Sequence, residues 1–292
     1  MKHIISVSQF DKNYINKIFS FATHVKNFGF GFDFFNQKIV TCLFYQPSTR
    51  TYSSFLAAAQ RLKAAIIPIQ GVEYSSVSKG ESFEDTIKTL SMYSDCIVLR
   101  HPEVGSASKA AEISDKPIIN AGDGIGEHPT QALLDLYTIF EERKSINGLH
   151  VAFMGDNLHS RTVHSLFQLL SLYDVKISFV GPEELSDKES LSKYPNVKHY
   201  EDIQEIIHEI DVLYVTRVQK EYLSSDLRDK KFSYQVTPEL MSLAKPDMIL
   251  MHPFPRINEI PTSIDTDPRA AYFKQIKNGL YVRGAVLYEL LK

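Results

Sequence analysis

Cysteine is scarce in this 292-residue chain: there are two, Cys42 and Cys96. Each lies in an apolar, strand-like run, "VTCLF" and "DCIVL", a setting that suits buried thiols and argues against a disulfide or a cysteine metal site. An excess of one charge is also missing. With 32 Lys and Arg against 35 Asp and Glu, the net charge is −3, so no global field draws in nucleic acid or an anionic membrane. Any anion site must be built locally. No apolar run approaches the roughly 20 residues of a membrane span, and the opening "MKHIISVSQFDKN" lacks the apolar centre of a secretory signal. The expectation is a reduced, soluble, cytoplasmic protein with no nucleic-acid or membrane partner. Several catalytic signatures are absent as well. There is no GxxxxGK[ST] loop and no GxSxG elbow, and His101, His159, His164 and His252 have no metal-ligand spacing. Neither a metal, a cofactor nor a covalent enzyme nucleophile is expected.

What is present is an alternation of short apolar runs with helical patterns. Strands are predicted over 38–46, 64–70, 95–101, 116–121, 150–155, 176–181, 211–216 and 247–251. Between them lie helical stretches such as "FEDTIKTLSMY", "HPTQALLDLYTIFEERK" and "RTVHSLFQLLSLY". Apolar strands separated by helices imply parallel sheets covered on both faces. The fold class is therefore α/β, with two doubly wound domains joined by the long helix 128–144. The expected domains are 1–133 with 279–292, and 134–278, the terminal helix "NGLYVRGAVLYELLK" packing back on the first.

In open α/β sheets, ligands bind at the carboxyl ends of strands, and here polar clusters follow strand after strand. "QPSTRT" follows the first, "LRHP" the third and "NAGDGIGEHPTQ" the fourth; "MGDNLHSRT", "VTRVQKE" and "MHPFPR" come later. An arginine alone is ordinarily a surface residue. Arg50, Arg100, Arg161, Arg217 and Arg256 share one position relative to their strands, which favours ligand binding for the set. In the first cluster Ser48, Thr49, Thr51, Ser53 and Ser54 surround Arg50 at a strand-to-helix turn. Unpaired first-turn N–H groups, the positive end of the helix dipole, hydroxyl donors and a guanidinium fork together suit phosphate. The plainer alternative is that Ser48 or Thr49 simply caps the helix. Gly122, Gly124 and Gly126 lack the full dinucleotide-loop spacing. His128 precedes Pro129 at a helix start, and Gln131 projects from the same turn. A histidine there tends to stay neutral and can donate to a carbonyl oxygen; the plainer alternative is that it caps its own helix.

Taken in order, "STRT", "KGESFEDT", "RHP", "HPTQALLDLYTI", "GD…RTVHSL", "TRVQKE" and "HPFPR" resemble aspartate carbamoyltransferase catalytic chains over essentially the whole sequence. "TRVQKE" and "HPFPR" separate this pattern from ornithine carbamoyltransferases, which carry HCLP at the latter position. The resemblance implies that L-aspartate attacks carbamoyl phosphate in an early step of pyrimidine synthesis. It implies that Ser48, Thr49, Arg50, Thr51 and Arg100 hold the phosphate. Thr51, Arg100 and His128 would polarise the carbamoyl oxygen, and Gln131 would orient the carbamoyl amide. Arg161, Arg217, Gln219 and Phe254 would bind aspartate. Ser75 and Lys79 would reach a neighbouring subunit's site, Lys79 touching both substrates, so a homotrimer with shared sites is implied; separate regulatory chains are left open.

The chain also departs from the family pattern. Tyr52 and Leu56 replace an arginine and a glutamate of many relatives, Leu158 replaces a lysine, and Asn258 an aspartate. Positions 52 and 56 are helical neighbours, so their changes remove an ion pair together. Leu158 could weaken aspartate binding or domain closure. Two alternatives stand beside the active enzyme: an inactive carbamoyltransferase-like binding protein, and a carbamoyltransferase using another amino acceptor.

Overall fold

A computed structural model describes residues 1–31, 35–72, 76–194, 197–219 and 234–292. Two α/β units account for them, Met1–Tyr137 with Ile276–Lys292 and Thr138–Gln275. The first begins with α1 (Lys12–Phe28), then runs β1 (Ile39–Phe44), α2 (Thr49–Arg61), β2 (Ala65–Gln70), α3 (Phe83–Tyr93), β3 (Cys96–His101), α4 (Ser106–Ile113), β4 (Ile118–Asp123) and α5 (Pro129–Arg143). The second contains β5 (His150–Met154), α6 (Arg161–Leu170), β6 (Lys176–Val180), α7 (Lys188–Lys193), β7 (Val197–Tyr200), β8 (Val212–Val215), α8 (Pro238–Leu243) and β9 (Ile249–Met251). The division between the units falls inside α5 and inside α9 (Tyr272–Leu291).

Both sheets are parallel throughout, in the orders β2-β1-β3-β4 and β7-β6-β5-β8-β9. The eight apolar runs expected as strands are all strands. A ninth, β7, escaped because "VKHY" is a short edge strand whose residues are only partly buried or exposed. Pairing on one side gives such a strand no continuous apolar signal. β2 is the edge of the other sheet and accommodates Pro68, which has no N–H to give to a further strand.

The core of the first unit packs Leu43, Ile97, Leu99 and Ile118 of the sheet against Ile87 and Leu90 of α3 and Ala110 of α4. In the second, Met154, Val180, Leu213, Val215 and Leu250 meet Leu240, Met241 and Tyr272. Burying one such aliphatic side chain contributes roughly 1.5–3 kcal/mol, which anchors the strand ends where the polar clusters begin. Cys42 and Cys96 are both buried free thiols, and burial pushes the Cys42 thiol up to about 12.

Candidate functional site

Sheet order locates the crevices. In the first unit the order reverses between β1 and β3, and in the second between β5 and β8. Ligands of open α/β sheets sit at such switch points, beyond the carboxyl ends of the strands.

At the first switch point, register sets Phe44, the last residue of β1, opposite Arg100 near the end of β3. The Tyr45 N–H donates to the Arg100 carbonyl at 2.9 Å, and Arg100 Nη1 donates to the Ala121 carbonyl of β4 at 3.3 Å. Three strand ends are thereby tied together. Ser48 is the N-cap of α2 by position, but its side chain makes no capping hydrogen bond. Its hydroxyl is thus not consumed by the helix, contrary to the plain capping alternative. Thr49 is exposed and Arg50 half-buried, and burial pulls the Arg50 guanidinium pKa down. Thr51 is buried, with its Oγ1 3.4 Å from His128 Nε2. The first turn of α2, after β1, and the end of the loop after β4 therefore meet through these two side chains.

His128 starts α5 through its backbone: its carbonyl accepts from the N–H groups of Gln131 at 3.0 Å and Ala132 at 3.1 Å. The ring itself faces Thr51, which leaves the helix start to the main chain and Pro129. The preceding loop is organised by buried Asp123, whose carboxylate accepts from Glu127 N at 2.8 Å and Gly105 N at 3.0 Å. A Cβ on Gly124 would lie 2.4 Å from the Pro102 carbonyl oxygen, and one on Gly126 2.8 Å from Asp123 Oδ1. These glycines serve close loop packing, which is why they lack a dinucleotide-binding spacing.

Gln131 is held from both sides. Its Nε2 donates to Asp135 Oδ1 at 2.9 Å, and its Oε1 accepts from Arg283 Nη2 of α9 at 3.3 Å. Arg283 Nη1 also donates to Ser54 Oγ at 2.7 Å, and Ser54 Oγ donates to the Thr51 carbonyl at 3.0 Å. Burial pushes the Arg283 guanidinium down to about 9, with Asp135 acting in the opposite sense; it stays charged at neutral pH. Lys79 is exposed at the end of the 3-10 turn Ser76–Lys79, and Ser75 lies outside the described residues.

At the second switch point, Arg161 opens α6 after β5 and Arg217 follows β8; Phe254 follows β9, the edge strand next to β8. The fully buried Asp156 carboxylate receives the N–H groups of Gln219 and His159, each at 3.0 Å. The segments after β5 and β8 are thus pinned together, with Arg217 and Gln219 on the second. Arg217 Nη1 donates to the Val218 carbonyl at 3.2 Å, and both Arg161 and Arg217 are half-buried. Phe254 packs edge-on against Tyr272, with ring centroids 5.8 Å apart.

Arg256 corrects the grouping of five arginines. Both of its terminal nitrogens bond Asp265, one at 2.7 Å to Oδ2, and its guanidinium lies over the rings of Phe254, Tyr272 and Phe273. Its charge is committed to local structure, and four arginines remain as ligand candidates. Of the departures from the family pattern, Tyr52 packs edge-on against Phe44 at 5.1 Å and Leu158 is 39% exposed.

Sequence reading assigned nothing to Asp156, Asp135, Ser54 or Arg283. The one available signal for Arg283 was an arginine inside an otherwise apolar helical stretch. Among the described residues, no three His, Cys, Asp or Glu side chains are grouped as metal ligands.

Two parallel α/β units, each with arginines at its own switch point, define a class: a two-unit α/β protein equipped for anionic ligands. Two family models match the chain. Residues 2–141 fit the carbamoyl-P binding domain of aspartate/ornithine carbamoyltransferase, and residues 147–290 fit its Asp/Orn binding domain. The chain belongs to the aspartate/ornithine carbamoyltransferase family. Among its relatives, the aspartate carbamoyltransferase catalytic subunit of Archaeoglobus fulgidus is 43% identical over 297 residues, covering 100% of this chain and 99% of that one. The multifunctional protein pyr1-3 of Dictyostelium discoideum is 49% identical over 297 residues, spanning 98% of this chain but 13% of that protein. In structure, the chain resembles Trypanosoma cruzi aspartate transcarbamoylase in complex with carbamoyl phosphate and aspartate. The TM-score is 0.93 at 38% identity, over 100% of this chain and 97% of that one.

Proposed function

We propose that this chain transfers the carbamoyl group of carbamoyl phosphate to the amino group of L-aspartate, giving N-carbamoyl-L-aspartate and phosphate, in pyrimidine biosynthesis. The observation that carries this reading is the meeting of Thr51 and His128 at 3.4 Å at the first switch point, where Arg100 stands near the end of β3. It is supported by the full-length relatives named aspartate carbamoyltransferase catalytic subunit.

On this reading Ser48, Thr49, Arg50, Thr51 and Arg100 bind the phosphate, with first-turn N–H groups of α2 as further donors. Thr51, Arg100 and His128 stabilise the negative charge that grows on the carbamoyl oxygen, and Gln131 orients the carbamoyl NH2. Arg161, Arg217 and Gln219 hold the two carboxylates of aspartate, a task that suits guanidinium forks, and Phe254 completes that half-site. The neutral amine of aspartate attacks the carbamoyl carbon. A C–N bond forms, the C–O bond to phosphate breaks, and the departing phosphate takes the amine proton. Catalysis then consists of positioning two anions and stabilising one oxyanion, with no covalent enzyme intermediate.

The exposed position of Lys79 in its own chain is consistent with service in a neighbouring subunit, together with Ser75, so we assign a homotrimeric enzyme with shared sites. Among the described residues no helix is long and apolar enough to cross a membrane.

The test is carbamoylation of L-aspartate against L-ornithine by the purified chain and its Lys79→Ala variant. Turnover with aspartate alone, collapsing by at least about 100-fold in the variant, is expected for loss of a charged transition-state contact. Equal use of ornithine would reject the aspartate assignment; no turnover with either acceptor despite carbamoyl phosphate binding would favour an inactive binding protein and make Leu158 the residue to revert.

A further inference from the structure

An arginine with about 2% exposure is costly to bury unless its charge is paired and its donors are used. Arg283 sits on α9, one helical turn after Gly279, and its two terminal nitrogens are directed at the helices beside the first switch point, while its buried Nε makes no hydrogen bond among the described residues. One terminal nitrogen bonds Ser54 Oγ on α2 and the other bonds Gln131 Oε1 on α5. Its guanidinium also lies over the Phe55 ring, 5.5 Å from the centroid. Ser54 in turn bonds the Thr51 carbonyl, and Gln131 bonds Asp135. A single planar group thus spans the two helices that bear Thr51 and Gln131.

The helix carrying it makes room for that group. A Cβ on Gly279 would fall 2.8 Å from Arg283 Nη1 and 3.3 Å from Leu134 Cδ2. Glycine within a helix is unfavourable relative to alanine, so its presence in α9 needs a local reason. The folded guanidinium supplies one.

We propose that Arg283 is a positioning residue for carbamoyl transfer. It orients the amide of Gln131, presenting that side chain to the carbamoyl group, and anchors it to the turn carrying Thr51. The proposal rests on the reading above in which Gln131 meets the carbamoyl amide. Because Oε1 of Gln131 accepts from Arg283 and Nε2 donates to Asp135, the amide cannot flip without losing both bonds. Its orientation, and hence the face shown to substrate, is fixed by a residue that itself touches no substrate.

The experiment uses the full chain with Arg283→Met, Arg283→Lys, Gly279→Ala, Gln131→Ala and the Arg283→Met/Gln131→Ala double variant. Steady-state carbamoylation of L-aspartate gives kcat and the KM for carbamoyl phosphate, inhibition by inorganic phosphate reports the phosphate contacts alone, and thermal unfolding reports stability. Arg283→Met is expected to raise the KM for carbamoyl phosphate about tenfold, the scale of one hydrogen bond to a charged group. Inhibition by phosphate should move less than about twofold, and the double variant should lose little beyond Gln131→Ala, as expected for residues acting as one unit. Arg283→Lys should recover part of the loss. Gly279→Ala keeps the charge but displaces the fork, so it should weaken carbamoyl phosphate in the same selective way.

Parallel loss of carbamoyl phosphate and inorganic phosphate binding, or full additivity in the double variant, would overturn the proposal in favour of a merely structural arginine. If Arg283→Met does not fold, Gly279→Ala decides: higher stability with an unchanged KM for carbamoyl phosphate would overturn it equally. A wild-type chain that does not turn over carbamoyl phosphate and aspartate removes the functional reading and this proposal with it. A competent wild type with unselective variants removes only the proposal.

Discussion

At the scale of single residues, Gly155 shows how closely a strand end is packed. It follows β5 at φ +121°, and a Cβ there would lie 2.3 Å from the Thr216 carbonyl oxygen and 2.8 Å from the Tyr234 hydroxyl. Neither the dihedral nor the space admits a side chain without backbone movement. Gly155→Ala should cost roughly 2–4 kcal/mol of stability, the range for backbone strain combined with overpacking. Urea denaturation measures it, and a midpoint unchanged from wild type would show the close approach to be unimportant. Because Arg217 adjoins the displaced Thr216, the KM for aspartate should rise more than that for carbamoyl phosphate. At this scale motif reading picked out single residues. "STRT" and "HPTQ" led to Thr51 and His128, which do meet. It misgrouped Arg256, because a sequence does not display Asp265 as that arginine's partner.

At the scale of elements, β5 is tied to its neighbours by His150. The ring is buried, its Nε2 lies 2.8 Å from Ser178 Oγ on β6, and its backbone N–H donates to Asp211 Oδ2 before β8 at 2.8 Å. Burial pushes the imidazole pKa from 6.5 down to about 4; Lys176 acts in the same direction, Glu209 and Asp211 against it, and Lys245 again with it. The folded chain therefore resists a proton that the unfolded chain accepts. Stability from this group is present above pH 6.5 and is lost as pH falls through the interval down to about 4. A His150→Gln variant, which retains a donor and an acceptor for Ser178, should show a flatter dependence of the denaturation midpoint across that interval. An undiminished slope in the variant would assign the dependence to other groups. Elements were legible where the chain itself carries a continuous apolar run, as all eight predicted strands are present, including the half-exposed edge strand β2 with its "AIIPIQ". β7 was not legible because a short, half-exposed edge strand leaves no continuous apolar run.

At the scale of the whole molecule, the chain is two parallel-sheet units with a separate set of polar residues at each switch point. The proposed assembly makes a prediction that no single chain can satisfy. Arg50→Ala and Lys79→Ala each remove one contribution to a shared site, so each homotrimer should be nearly inactive. Dissociating and reassociating an equal mixture should restore roughly a quarter of wild-type sites, since a complete site needs one subunit of each kind in a fixed order. Absence of recovery, with mixed trimers demonstrated by mass, would place Lys79 in its own chain's site.

The sequence by itself determined the α/β class, the family and the strand ends at which polar clusters gather. Apolar periodicity and short motifs are local properties, carried by neighbours in the chain. Only the tertiary structure decided which polar groups are already committed to one another. Asp265 neutralises Arg256 from nine residues away, Asp156 receives the Gln219 N–H from 63 residues away, and Arg283 reaches Gln131 across 152. Hydrogen bonds and ion pairs depend on distances of about 3 Å in space, and no spacing along the chain encodes them.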